Sequence, residues 1–144
     1  IYNIKMKLII KVIIILLISV NLSAREIGET EITTEDGIEV FQNEKFYLLK
    51  QNVKIESDNF TLNADEVKIN FDKNLYDITE LDAYGSVDFY SKIFEVSGNG
   101  NFLKFEVNIE KIQVEGEGSE LITKDIKMFS DGFIEVSNLS GDFL

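Results

Sequence analysis

The sequence predicts an all-β fold, an elongated folded antiparallel sheet, either a sandwich or a β-jelly roll, built from repeats of about 34 residues and preceded by an N-terminal signal helix. Three observations carry that expectation. Apolar and polar residues alternate with period two from Ile38 onward, as they do in strands with one buried face. Short polar groups suited to tight turns separate these runs, and the chain has no Pro, which suits central ladders. Apolar positions also recur at a fixed spacing.

The N-terminus reads as an address. Met6-Lys7 opens a basic start, Leu8–Val20 is apolar apart from Lys11, and Asn21-Leu22-Ser23-Ala24 offers small residues for cleavage. Residues 1–24 are therefore expected to be a secretory signal with translation starting at Met6, and residues 25–144 the β domain. An uncleaved inner-membrane anchor is the competing reading. The charge-free run from Val12 to Ala24 is 13 residues, short of the ~20 that a spanning helix needs. With no Cys, no lipid-anchoring site follows the leader.

Next come the strands. Val53 and Ile55 alternate with Lys54 and Glu56; Phe60, Leu62 and Ala64 with Thr61 and Asn63; Val67, Ile69 and Phe71 with Lys68 and Asn70. Val87/Phe89 and Phe94/Val96 continue the pattern. Expected turns are Ser57-Asp58-Asn59, Asp72-Lys73-Asn74, Gly98-Asn99-Gly100-Asn101, Gly116-Glu117-Gly118 and Ser130-Asp131-Gly132.

Val53, Val87 and Leu121 are 34 apart, as are Ala64, Gly98 and Gly132, with Phe71/Phe105 and Ile78/Ile112 keeping the same interval. Gly85-Ser86 recurs as Gly118-Ser119 at 33. An even period preserves the face from copy to copy, so equivalent apolar residues stack. Ala64-Asp65 and Gly98-Asn99 sit where a long strand could turn a corner, giving a folded sheet with one continuous apolar strip inside.

Composition removes whole classes of function. Residues 25–144 carry 11 basic against 26 acidic groups, a net of −15, and no basic stripe to meet a phosphate backbone, so no nucleic acid partner is expected. Without His or Cys there is no Ser-His-Asp or Cys-His system and no usual zinc ligand set. No enzyme and no cofactor are expected. The acids Asp65-Glu66, Asp72 and Glu115–Glu120 read as a solvated outer face, since none has calcium-loop spacing.

Leu81-Asp82-Ala83-Tyr84-Gly85-Ser86-Val87-Asp88-Phe89 resembles the small-Gly-x-Val-hydrophobe strand pattern of the OstA-like lipopolysaccharide-transport proteins, the LptA family. Ala64-Asp65-Glu66-Val67-Lys68-Ile69 is similar to that family's Ala-Asp-x-hydrophobic-x-hydrophobic segment, while Gln51-Asn52-Val53 stands where Gly-Asn-Val is usual. The resemblance implies a jelly roll open along one side, located in the periplasm, holding the acyl chains of lipopolysaccharide and stacking end to end with other jelly-roll components or with itself. It implies an inward row of Val53, Ile55, Phe60, Leu62, Val67, Ile69, Phe71, Val87, Phe89, Phe94, Val96, Phe102 and Phe105.

For each of those residues plain core packing is the alternative, and positions nearer the closed edge than Phe60 and Phe94 favour it. Edge strands around Ile38–Phe41 and Phe133–Leu144 are candidates for pairing between molecules; Glu39, Glu135 and Asp142 could instead protect them. A structural β-repeat protein with a dry core is the rival of a different class, and a carboxylate hydrolase a more distant one.

Overall fold

The computed structural model describes residues 28–140. The leader 1–24, its start at Met6, Asp142 and the end at Leu144 lie outside the described residues. Ten strands form one antiparallel sheet: β1 Glu31–Thr33, β2 Gly37–Phe41, β3 Phe46–Glu56, β4 Phe60–Phe71, β5 Ile78–Ser91, β6 Val96–Glu106, β7 Lys111–Glu115, β8 Ser119–Ile122, β9 Lys127–Ser130 and β10 Phe133–Val136. Among the described residues there is no helix.

The sheet becomes a jelly roll because its long strands fold over. The first half of β3 pairs with β2 and the second half with β1. At the other side, β6 pairs with β8 through Ser97–Asn99 and with β7 through Phe102–Glu106. One wall thus holds β2, β7, β10 and one half of each of β3–β6, while the facing wall holds β1, β8, β9 and the other halves. The short strands are bent strands that have broken at the fold line: β7 and β8 are separated by Gly116-Glu117-Gly118, β9 and β10 by Asp131-Gly132.

The fold line, or spine, is written in the backbone. Register shifts fall between Lys50 and Val53, Asn63 and Glu66, and Tyr84 and Val87. Such bulges bend a strand and raise its twist. Gln51 and Asn52 lie at φ 59° and 46°, and their counterparts 34 residues on, Gly85 and Ser86, at 78° and 45°. The repeat is therefore conformational as well as compositional. A Cβ on Gly85 would collide with Asp65 on the next strand, and one on Gly100 would lie 2.6 Å from Val114 Cγ1.

Side chains then stack in register. Leu49, Val67, Ala83, Leu103, Val114 and Ile134 form a buried row beside the spine. Tyr47, Ile69, Leu81, Phe105, Ile112 and Val136 form the next row outward on the same wall. The facing wall contributes Ile55, Leu62, Phe89, Leu121 and Met128, with Gly98 in the middle of the row.

Three expectations need correction. Gly98-Asn99-Gly100-Asn101 is no turn but the interior of β6, whose corner falls at Gly100-Asn101 rather than Gly98-Asn99. Glycine is used there for closeness: Leu121 Cδ1 would stand 3.0 Å from a Cβ at Gly98. Phe94 lies outside the strands, in the turn between β5 and β6. Finally, each end of the sheet has two edge strands, so β1 and β9 join β2 and β10.

Candidate functional site: an apolar trough between the walls

Opposite the spine, among the described residues, no strand pairing joins the two walls. Hairpin connections alternate between the two lips: 42–45, 72–77 and 107–110 on one, 57–59, 92–95 and 123–126 on the other. Three clefts follow one another along this open side. The first, of about 470 Å³, lies at the β1/β2 end between Ile32, Ile38, Val40, Tyr47, Ile55 and Ile69. The second, about 380 Å³, shares Phe60, Tyr76, Ile78 and Leu81 with the first and adds Phe89, Phe94 and Phe105. The third, about 490 Å³, shares Ile93 and Phe94 with the second and reaches Val136 and Leu139, but is more polar, with Glu95, Thr123, Lys124 and Asp125 in its lining. Shared linings make them one trough.

Aromatic rings set its width. Phe94 from one lip stands edge-on to Phe105 on the opposite wall, with ring centroids 6.2 Å apart. Phe60 packs edge-on to Phe89 at 5.2 Å. Burial pushes the Tyr47 phenol above its ordinary pKa, as expected for a hydroxyl at a mostly apolar surface. Among the described residues no cluster of acids could hold a metal ion. What the apolar side chains of the first two clefts offer is a solvent for hydrocarbon.

The inward row divides by depth. Ile55, Phe60, Ile69, Phe89, Phe94 and Phe105 line the trough. Val53, Leu62, Val67 and Val87 are buried in the core behind it, while Phe71 and Val96 are buried at the lip ends of β4 and β6. Phe102 is a correction: it points outward, in register with Tyr84 and Glu115, with its ring 5.1 Å from Tyr84, while Leu103 takes the inner face. The corner at Gly100-Asn101 shifts the alternation by one residue, which counting in twos cannot detect.

Sequence reasoning missed Ile32, Ile38, Val40, Tyr47, Leu75, Tyr76, Leu81 and Ile93 as lining residues. Tyr47 and Leu81 could have been found, since both lie in register with Ile69. Tyr76, 93% exposed on its hairpin, carries no periodic signal.

The two ends of the trough differ. At the β2 end the inner-face residues Ile38 and Val40 are 50% and 45% exposed. At the β10 end Leu139 packs against the core, its N–H donating to the Glu110 carbonyl at 3.2 Å. The Ser140 N–H donates to Glu110 Oε2 at 2.9 Å, and the hydrogen bonds from Ser140 hold that carboxyl below its usual pKa.

A single folded sheet with a spine on one side and an apolar trough on the other defines an open-sided jelly roll, a class suited to binding elongated apolar ligands. Residues 32–130 match the family model described as "LptA/(LptD N-terminal domain) LPS transport protein", and the chain belongs to that family. Among solved structures it is similar to LptH of Pseudomonas aeruginosa, described as the LptA homologous periplasmic component of the conserved lipopolysaccharide transport device. The TM-score is 0.61 at 12% identity, with 74% of each chain covered, a likeness of fold. No curated protein matches it by sequence.

Proposed function

We propose that this chain is a periplasmic component of lipopolysaccharide transport that lays lipid A acyl chains in the trough and stacks end to end into a bridge toward the outer membrane. One observation carries the reading: adjoining clefts, the first two lined mainly by apolar side chains, run along the side opposite the spine from Ile38 to Leu139. A structural protein with a filled core has no use for them.

The physics of transfer follows. Burying a methylene contributes about 0.8 kcal/mol, so a whole acyl tail is held by roughly 10 kcal/mol gross. Release into water would be slow. Sliding between similar apolar rows exchanges like for like and keeps the free energy nearly level, so motion along the trough is cheap and motion out of it is not. Direction then needs an external energy source. Edge strands at both ends of each wall, β1 and β2 at one and β9 and β10 at the other, suit β-augmentation by a neighbouring jelly roll.

The test is a photo-crosslinking residue at Phe60 or Phe94, compared with Lys68, which lies on the outer face with its ammonium 4.5 Å from the Phe46 ring centroid. Lipopolysaccharide is expected to label from the two Phe positions and not from Lys68. Equal labelling from all three overturns the proposal.

A further inference from the structure

Charge is distributed unevenly between spine and lips. Every strand lysine is engaged: Lys50 with Glu39 at 2.9 Å, Lys54 with Glu56 at 3.6 Å, Lys104 with Glu80 at 3.0 Å, Lys111 with Glu135 at 3.4 Å and Lys127 with Glu120 at 3.4 Å. Lys68 stands over the Phe46 ring. Three lysines among the described residues, Lys73, Lys92 and Lys124, have no acidic or aromatic partner, and all three sit on hairpins of the open side. The spine connections hold no base at all; their charged residues are Glu35, Asp36, Asp65, Glu117 and Asp131.

Lys124 lines the trough, and Lys73 and Lys92 stand within three residues of side chains that do. Lys73 precedes Leu75 and Tyr76, which line its first cleft; Lys92 precedes Ile93 and Phe94; Lys124 itself lines the third. We infer that Lys73, Lys92 and Lys124 form a headgroup rim that selects amphiphiles bearing phosphate, fixing the anionic end at the lips while the acyl chains lie below. The inference rests on the proposed acyl-binding role of the trough.

An ammonium on a flexible stem suits a phosphate that must be passed along, because it binds as a point charge without the fixed fork of Arg. The need is physical: a body with a net charge of −15 over residues 25–144 repels an anionic headgroup everywhere else. Competing acids on the lips are partly occupied. Asp72 pairs with Lys45 at 3.5 Å, Asp77 Oδ2 accepts the backbone N–H of Lys73 at 3.3 Å, Glu110 Oε2 accepts the Ser140 N–H at 2.9 Å and Asp58 Oδ2 the Gly28 N–H at 2.6 Å. Glu95 and Asp125 remain beside Lys92 and Lys124, so Lys73 contributes most.

The experiment uses the full chain carrying Lys73→Gln, Lys92→Gln and Lys124→Gln together, with Lys54→Gln as a strand control. Binding of bisphosphorylated hexa-acyl lipid A and of its fully dephosphorylated counterpart is read by displacement of a neutral fluorescent acyl probe. The triple variant is expected to lose about tenfold in affinity for the phosphorylated lipid, with a flatter salt dependence, and nothing for the dephosphorylated one. The single variants, led by Lys73→Gln, carry the same comparison if the triple variant fails to fold. Equal affinities of variant and wild type, or equal losses for both lipids, overturn the rim and leave the trough standing. A wild-type protein that binds neither lipid overturns both.

Discussion

Spine and lips are built from the same strands but to opposite specifications. At the spine, neighbouring strands crowd Gly85 and Gly100 so closely, chiefly through the Asp65 and Val114 side chains, that neither has room for a Cβ, and the adjacent row from Leu49 to Val114 is sealed from water. At the lips, Tyr76, Ile93, Ile109 and Ile126 are left largely exposed on the hairpin turns. Burial is concentrated on one side and the proposed binding surface on the other, so substitutions should separate stability from binding.

The sharpest contrast is Leu103→Ala against Phe94→Ala. Leu103 is sealed beside the spine, and its truncation should cost about 3–4 kcal/mol in urea unfolding through lost burial and a cavity. Phe94 is half-buried at the lip, so its truncation should cost about 1 kcal/mol while lowering lipid retention measured by mass spectrometry. Equal losses of stability would erase the division. Gly100→Ala comes next: the new Cβ meets Val114 Cγ1 at 2.6 Å and the Glu115 carbonyl oxygen at 2.9 Å, and a loss of about 2 kcal/mol is expected in the same assay.

The smallest effect belongs to Asp82, buried on the outer face between Lys68 and Lys104 in register. Its Oδ1 has no hydrogen-bond partner, and desolvation, helped by the neighbouring Glu80 carboxylate, raises its pKa above 3.8. A raised acid pKa means the folded state binds the proton more tightly than the unfolded chain. Stability therefore falls as pH rises from the unfolded value through the folded one. Asp82→Asn should gain on the order of 1 kcal/mol at pH 7, shrinking to nothing below about pH 4, when melting temperatures are compared across pH.

Much of this was legible in the sequence. Alternation assigned Ile55, Phe60, Ile69 and Phe89 to the interior because a strand half between corners keeps strict parity. The spacing of 34 tied Val53 to Val87, and the residues just before each, Gln51-Asn52 and Gly85-Ser86, both adopt left-handed backbone at the spine. What escaped was whatever depends on the corners themselves. A bulge adds a residue without changing composition, so Phe102 was put on the wrong face, and the glycines of β6 looked like a turn although they serve close packing. Depth was illegible too: nothing in the alternation distinguishes Val67, behind the trough, from Ile69, which lines it.

Four uninterrupted strands, β3 to β6, cross from one wall to the other. Covalent chain therefore ties the walls together repeatedly, and they cannot shear past one another as two independent sheets can. The remaining freedom is rotational, about an axis running through the bulged residues. A guest of larger girth would be accommodated as a book takes a thicker bookmark, by a small change of angle at the binding and a larger displacement at the page edges.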